Sequence, residues 1–236
     1  MSSPQRMWRY CRGSGNSESL YFRAMFLRVA AAVSGRGSNL AALLHAFGDA
    51  APAQVVLVLS NRAEAGGVEL ARNHGIPVHL LKDTADPGEW RAALEAARVD
   101  LVVLAGYLKP VPAAVVRAWW GRIINVHPAL LPRHGGRGMY GRRVHEAVLA
   151  SGDATSGATV HLVSEEYDQG EILAQGAVPV LPGDTPDTLA ARVLAVEHKL
   201  LPATVLAMAR AGLPEPIRPE ADGMSVPSPL SQTPKP

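Results

Sequence analysis

Cysteine is almost absent from the sequence, since Cys11 is the single one among 236 residues. One thiol cannot form a disulfide within the chain, which favours a reducing compartment, and we therefore expect a cytoplasmic protein. No apolar run reaches the roughly 18 residues that a membrane-spanning helix needs. An excess of one sign of charge is also missing, with 23 Lys and Arg against 21 Asp and Glu. This balance is unlike that of a nucleic-acid-binding surface, so we expect neither nucleic acid nor a membrane as a partner.

Several motifs of catalytic chemistry are missing as well. The sequence has no H-E-x-x-H, no cysteine pair and no tight histidine cluster beyond His127 and His134, so we expect no bound metal. It has no G-x-S-x-G segment, which argues against a Ser-His-Asp hydrolase. Apolar residues, in contrast, make up 47% of the chain, enough to build a sizeable core.

Composition divides the chain into three parts. Residues 1–26 hold four arginines but a single acid, Glu18, and we expect a disordered extension or a start codon assigned too early, with Met25 as the true start. A signal peptide is disfavoured because Arg28 interrupts the apolar stretch, and a mitochondrial presequence is the alternative. Residues 214–236 hold seven prolines and are expected to form a mostly disordered tail. Residues 27–213 would form the folded domain.

Short apolar runs alternate with helical patterns along this domain. The runs that predict buried strands are 27–33, 55–60, 101–105 and 123–126. The patterns that predict helices are 40–47, 68–75, 89–98 and 112–120. Residues 158–163 and 172–180 predict an antiparallel pair, and a long helix should cover 185–211. The expected fold class is therefore α/β, a Rossmann-like and mostly parallel sheet with antiparallel C-terminal strands and helices on both faces.

A glycine-rich loop follows the first strand and opens the first helix. It reads Ser-Gly-Arg-Gly-Ser-Asn-Leu over residues 34–40. The glycines permit a tight turn and the helix start offers free N–H groups, so the loop is suited to a phosphate. Leu40 stands where a dinucleotide motif has its third glycine, and the second strand ends in Ser-Asn-Arg without an acid for a ribose. We therefore predict a mononucleotide phosphate rather than a dinucleotide.

Two polar side chains stand at the end of the fourth predicted strand. Asn125 and His127 are two positions apart, so on an extended strand they face the same way. An amide and an imidazole side by side can hold a carbonyl oxygen that becomes negative, and strand ends of this kind bind ligands in open α/β sheets. Asp168 lies two positions before Gly170, between the predicted antiparallel strands. An aspartate in such a turn more often stabilises the turn than takes part in catalysis.

Four segments occur in an order that resembles one enzyme family. They are Gly-Arg-Gly-Ser-Asn-Leu at 35–40, Ala-Gly-Tyr-Leu at 105–108, Asn-Val-His-Pro-Ala-Leu-Leu-Pro at 125–132 and Asp-Gln-Gly at 168–170. Together they closely resemble the phosphoribosylglycinamide formyltransferases, over roughly residues 27–213. The third segment with a later Asp-x-Gly is specific to folate-dependent formyl-group enzymes, and the glycine-rich loop points to the glycinamide ribonucleotide branch.

The resemblance implies a reaction and roles for three residues. The enzyme would transfer the formyl group of its co-substrate, 10-formyltetrahydrofolate, to the amine of 5-phosphoribosylglycinamide in de novo purine biosynthesis. Asn125 and His127 would stabilise the oxyanion that forms. Asp168 would orient or charge His127 and help to move the proton, and no metal would take part.

The resemblance also implies two binding regions. The ribonucleotide would be bound at its phosphate by Gly37, Ser38 and Asn39, and at its sugar by Glu197. The folate would be bound by Tyr107, Leu108, Lys109, Pro110, Val111 and Asn125. Only small molecules would then be partners, and the protein would be a monomer or a homodimer.

The chain departs from the family pattern in two places. Family members often have an arginine just before the third helix to meet the glutamate tail of the folate, whereas this chain has Pro87 and Gly88. The contact would then be absent or made by Arg91. Residues 133–141 read Arg-His-Gly-Gly-Arg-Gly-Met-Tyr-Gly, a form typical of one branch of the family, and the contacts of this segment are left open.

Other functions stay open at this point. Methionyl-tRNA formyltransferase adds an RNA-binding domain, and formyltetrahydrofolate deformylase adds a regulatory domain, and the short segments outside 27–213 could supply neither. A sugar-nucleotide formyltransferase would use the same chemistry on another amine. A non-catalytic mononucleotide-binding module would explain the glycine-rich loop but not the combination of Asn125, His127 and Asp168.

Overall fold

The computed structural model describes residues 26–48 and 50–213. The expected extension, apart from residue 26, and the expected tail lie outside the described residues. Within the described ranges the chain forms seven strands and six helices. They are β1 (Leu27–Val33), α1 (Ser38–Ala46), β2 (Ala53–Ser60), α2 (Gly66–Asn73), β3 (Val78–Leu80), α3 (Pro87–Ala96), β4 (Leu101–Leu104), α4 (Ala113–Ala118), β5 (Ile123–His127), α5 (Arg142–Ser151), β6 (Thr155–Leu162), β7 (Ile172–Pro179) and α6 (Pro186–Ala211).

These strands form one sheet in the order β3-β2-β1-β4-β5-β6-β7. Strands β1 to β5 pair in parallel, whereas β6 runs antiparallel to both β5 and β7. The β5–β6 register places Asn125 opposite His161 and His127 opposite Thr159. The predicted fold class, a mostly parallel Rossmann-like sheet that ends in antiparallel strands, is confirmed.

Helices cover both faces of the sheet, and each face has its own core. Val29 and Ala31 of β1 belong to the core that includes side chains of α1, α2, α5 and α6. Ala30 and Ala32 belong to the opposite core, which includes Trp90 of α3 and side chains of α4. Because successive residues of a central strand enter different cores, such a strand is apolar on both faces, as residues 29–33 of β1 are.

Two elements were not predicted. β3 has three residues and lies half-buried at the edge of the sheet, so its sequence is too short for a strand period to stand out. α5 follows a glycine-rich segment and begins with two arginines. Its buried face consists of Val144, His145 and Val148, which is too little for a clear helical period.

Two helices were predicted about two residues too late at both ends. α2 spans Gly66–Asn73 rather than 68–75, because the helix ends at His74 and Gly75 turns into the left-handed region with φ 67°. α3 begins at Pro87 rather than at 89. The side chain of Asp86 accepts a hydrogen bond from the Gly88 amide at 2.8 Å, and proline suits the first turn of a helix.

Both the long helix α6 and the position of its start were predicted from the sequence. The Thr185 hydroxyl accepts from the Thr188 amide at 3.2 Å, and the Thr188 hydroxyl accepts from the Thr185 amide at 2.9 Å. Asp184 holds the guanidinium of Arg192 through two contacts of 2.7 and 2.9 Å. The helix packs on β6, β7 and α1. Among the residues that the structure describes, α6 included, no helix has both the length and the apolar surface to cross a bilayer.

Candidate active site

A cavity of about 920 Å³ opens at the carboxyl ends of the parallel strands. β1 lies between β2 and β4, so the chain changes direction across the sheet at this strand, and such a switch point is where doubly wound sheets bind ligands. The loops after β1, β4 and β5 line the cavity, together with the β6–β7 loop and α6. All predicted site residues except Gly37 and Ser38 are among those that line it.

The three residues predicted to be catalytic come together in space. Asn125 and His127 lie on one face of β5, and the β6–β7 loop brings Oδ2 of Asp168 to 3.5 Å from Nδ1 of His127. The other ring nitrogen, Nε2, donates to the His134 carbonyl at 2.8 Å, because a carbonyl can only accept. The lone pair of the neutral ring therefore lies on Nδ1 and faces Asp168. This arrangement prepares His127 to take up a proton at Nδ1. Each ring nitrogen would then face an acceptor, Nε2 the His134 carbonyl and Nδ1 the Asp168 carboxylate.

Burial and charge set the protonation states of this pair. Burial lowers the pKa of His127, and the opposing effects of the Asp168 charge and the His134 carbonyl recover only part of it. Burial alone would raise the pKa of Asp168, but hydrogen bonding to His161 and the charge of His127 outweigh burial and lower it. An ionised carboxylate thus lies beside a neutral imidazole at neutral pH. Neighbouring groups with such shifted pKa values are typical of acid–base sites.

His161 is a functional candidate that the sequence analysis missed. It is the cross-strand partner of Asn125, whose Nδ2 donates to its Nε2 at 3.1 Å. The same Nε2 lies 3.5 Å from Oδ1 of Asp168, while Nδ1 donates to a backbone carbonyl at 2.8 Å. His161 therefore lies between the amide of Asn125 and the carboxylate of Asp168. Its polarity within an apolar strand is visible in the sequence, but only the register shows that it faces Asn125.

The glycine-rich loop and α6 form one end of the cavity. No side chain caps the start of α1, so its first amide groups have no side-chain acceptor and can bind an anion. Nδ2 of Asn39 donates to Oε2 of Glu197 at 2.7 Å across this end. Burial raises the pKa of Glu197, against the effect of the Asn39 hydrogen bond. Arg36 also lines the cavity and adds positive charge.

Gly37 has a packing role that the sequence did not reveal. It adopts a left-handed conformation with φ 82°, and a Cβ at this position would come within 2.5 Å of the Gly67 Cα. The glycine-rich loop therefore touches the start of α2, backbone against backbone. Neither Gly37 nor Ser38 is among the residues that line the cavity.

The loop after β4 forms the other end of the cavity, and residues 107–111 all line it. The amide of Leu108 donates to the Ser34 hydroxyl at 3.0 Å, and that hydroxyl donates to Asn61 at 2.7 Å. Ser34 thus joins the loop after β4 to the glycine-rich loop. Arg91 is not among the residues that line the cavity and pairs instead with Glu95 at 3.4 Å, so the structure gives no support to its suggested contact with a folate tail.

Positive charge at the cavity comes from other residues. The cations among the lining residues are Arg36, Lys109, Arg137 and Arg142. The segment 133–141, whose contacts the sequence left open, lines the cavity from Gly136 onward and donates the Gly136 amide to Asp168 at 2.9 Å. Within the described ranges, no group of three or more His, Cys, Asp or Glu is placed to hold a metal ion.

Comparisons with known proteins agree on one family. The family described as formyl transferase matches residues 27–205. A phosphoribosylglycinamide formyltransferase of Haemophilus influenzae is 36% identical over 75% of this chain and 85% of its own length. The chloroplastic phosphoribosylglycinamide formyltransferase of Arabidopsis thaliana is 48% identical over 73% of this chain, which spans 62% of that relative's length. The crystal structure of a phosphoribosylglycinamide formyltransferase from Anaplasma phagocytophilum superposes with a TM-score of 0.74, at 40% identity over 78% of this chain and 87% of that one.

Proposed function

Because the chain belongs to the formyl transferase family, we propose that it transfers the formyl group of 10-formyltetrahydrofolate to the amine of 5-phosphoribosylglycinamide in de novo purine biosynthesis. The observation that carries the proposal is the composition of a single cavity. Asn125, His127 and Asp168 meet there, and the Asn39–Glu197 pair lies at one end of the same space. The names of the Haemophilus and Arabidopsis relatives support the choice of acceptor.

The reaction forms one carbon–nitrogen bond and breaks another. The amine nitrogen attacks the formyl carbon, and the bond from that carbon to the folate nitrogen breaks. The proton lost by the amine passes to Nδ1 of His127, where Asp168 stabilises the imidazolium, and then to the departing folate nitrogen. The protonated ring and the amide of Asn125 would stabilise the negative charge on the formyl oxygen. Holding both substrates in line for the attack would supply the rest of the rate enhancement.

The two substrates would bind in different parts of the cavity. The uncapped start of α1, at Gly37, Ser38 and Asn39, would take the phosphate, with Glu197 on the sugar hydroxyls. The lining residues 107–111 would take the folate. The donor of the formyl group is a folate, and we propose that no metal takes part, so that dialysis against a chelator leaves the turnover unchanged.

The test is to mix the protein with both substrates and to follow the folate absorbance. If the protein transfers the formyl group, the folate absorbance should change only when the ribonucleotide is present. Release of tetrahydrofolate without an amine would indicate a deformylase, reaction only with amino-sugar nucleotides would indicate a sugar-nucleotide enzyme, and binding without any turnover would indicate a non-catalytic module. Each of these three results would contradict the proposal.

The His127→Ala variant tests the mechanism within the same assay. We expect the turnover to fall roughly 10²- to 10³-fold, as for loss of an oxyanion-stabilising group, with far smaller changes in KM. The matched control is His74→Ala, because His74 is exposed at the end of α2 and bonds only within that helix. An active His127→Ala protein would refute the role of the imidazole.

The cellular location and assembly are proposals of the same kind. The cytoplasmic location rests on the single Cys11, whereas two plant relatives are named chloroplastic. We also propose that the protein acts on small molecules without nucleic acid, as a monomer or a homodimer. Cell fractionation and light scattering would decide these two points.

A further inference from the structure

A short turn, residues 133–136, holds both members of the His127–Asp168 pair through its backbone. The His134 carbonyl accepts from Nε2 of His127 at 2.8 Å, and the Gly136 amide donates to Oδ2 of Asp168 at 2.9 Å. The distance between the imidazole and the carboxylate therefore depends on where this turn lies. A shift of the turn would move both groups with respect to the substrates.

The conformation of the turn requires support from its surroundings. His134 has a φ of 55°, in the left-handed region that residues other than glycine adopt only at a cost. Gly135 packs tightly on one side, because a Cβ there would come within 2.4 Å of Cδ2 of Leu131 and 3.2 Å of Cβ of Asp168. The inner side of the turn is thus fixed by packing.

A hydrogen bond fixes the outer side of the turn. Nε2 of His134 lies 2.6 Å from Oδ2 of Asp153, which follows α5, and the two side chains are only 14% and 13% exposed. The hydrogen bond from His134 is the leading cause that lowers the pKa of Asp153, so the carboxylate is charged. Arg133 pairs with the other oxygen of Asp153 from a side chain that is 65% exposed. Neither His134 nor Asp153 lines the large cavity; both border a separate cavity of about 240 Å³.

We propose that Asp153 and the side chain of His134 are positioning residues that act through the turn, setting the place of the catalytic imidazole of His127 without touching a substrate. The inference rests on the proposed function, since it assumes that His127 moves a proton. It adds two residues that neither the resemblance nor the sequence pattern assigned to the reaction.

The test compares four variants in the formyl-transfer assay. Asp153→Ala should lower kcat about tenfold with both KM values within a factor of two, because misplacing a reacting group by up to 1 Å costs as much as roughly 10²-fold. Asp153→Asn should have a smaller effect, since it keeps a hydrogen-bonding oxygen. His134→Asn should match Asp153→Ala, because asparagine tolerates the left-handed region but is too short to reach Asp153. Arg133→Gln is the control and should leave kcat unchanged, because the guanidinium of Arg133 is 65% exposed and solvent screens its attraction to Asp153.

A double variant separates positioning from general damage to the fold. In the His127→Ala background, Asp153→Ala should leave the residual rate unchanged, because no imidazole remains to be positioned. An equal fall in both backgrounds would overturn the proposal, as would full activity of Asp153→Ala or of His134→Asn.

The nuclear magnetic resonance signals of the His127 ring give a readout that does not need activity. Asp153→Ala should shift these signals, and unchanged signals would overturn the positioning role. If the unmodified protein transfers no formyl group while the ring signals still respond to Asp153→Ala, the proposed function fails and the positioning stands. If the unmodified protein is active and Asp153→Ala changes neither rate nor signals, only the positioning fails.

Discussion

At Glu197, the proposed binding of the ribonucleotide and the stability of the fold make opposite demands on the charge of the side chain. Its pKa is raised by burial, so it is an acid whose charged form is disfavoured in the folded protein. A raised folded pKa gives stability that is complete below the ordinary glutamate pKa of about 4 and declines as the pH rises through the folded value. Glu197→Gln should therefore unfold at a higher temperature than the unmodified protein at pH 7, with the difference vanishing near pH 4.

The same variant should bind the ribonucleotide less well, because an amide is a weaker acceptor for sugar hydroxyls than a carboxylate. Thermal unfolding at several pH values and KM for the ribonucleotide are the two measurements. Glu95→Gln, an exposed member of a surface ion pair, is the control for the loss of a charge. A lower melting temperature for Glu197→Gln at pH 7 would contradict the prediction.

Ser34 joins the two substrate loops, so its removal should affect both substrates. Ser34→Ala deletes the acceptor of the Leu108 amide and the donor to Asn61. We expect KM for the ribonucleotide and for the folate each to rise roughly two- to tenfold, the equivalent of one hydrogen bond. Ser60→Ala is the matched control, because Ser60 is a buried serine whose hydroxyl bonds only to Arg62. A rise confined to one substrate would show that Ser34 does not couple the loops.

The sequence could predict individual residues only where a motif or a strand end marks them. Asn125 and His127 stand two apart at the end of an apolar strand, which is a visible signal. Asp168 looked like a turn residue, and only the resemblance gave it a role, because the loop that carries it folds back over 40 positions later in the chain. His161 stands out locally only as a polar residue in an apolar strand, since its place opposite Asn125 is a property of strand pairing.

At the scale of elements, the start of α6 should be sensitive to acid. Arg192 holds the pKa of Asp184 far below its ordinary value, mainly through hydrogen bonding of the guanidinium. A depressed folded pKa gives stability that is present above the ordinary aspartate pKa of about 4 and is lost as the pH falls through the folded value. Asp184→Asn should therefore lower the unfolding temperature at pH 7, and the difference should shrink below pH 4. Unfolding followed by circular dichroism checks this, and an equal deficit at all pH values would contradict it.

Helices and strands could be predicted from the sequence to the degree that they are long and have a regular hydrophobic period. α6, with 26 residues and a proline at its start, was predicted almost to the residue, and β1 was predicted with both its ends. α5 and β3 were missed because a short buried face and a three-residue edge strand leave no period to detect. α5 leads to Asp153, for which we propose a positioning role, and nothing in the sequence indicated this contact.

At the scale of the whole molecule, both proposed substrate regions belong to one cavity, which predicts a sequential mechanism. A formyl-enzyme intermediate would need a nucleophile, and no cysteine or activated serine lies among the residues that line the cavity. Initial rates should therefore give intersecting double-reciprocal lines, and labelled 10-formyltetrahydrofolate alone should leave no label on the protein. Parallel lines, or label on His127 that passes into product, would contradict direct transfer.

The pairing of Asn39 with Glu197 joins the first helix of the domain to the last, 158 positions apart. On the ribosome the chain emerges in order at roughly 5–20 residues per second, so about 8–30 seconds separate the two side chains in synthesis. During that interval the glycine-rich loop exists without its acidic partner, and the core that α6 completes lacks one of its helices. The site therefore cannot be complete until α6 has been synthesised, and a nascent chain arrested before α6 would expose the apolar face that α6 covers to chaperones.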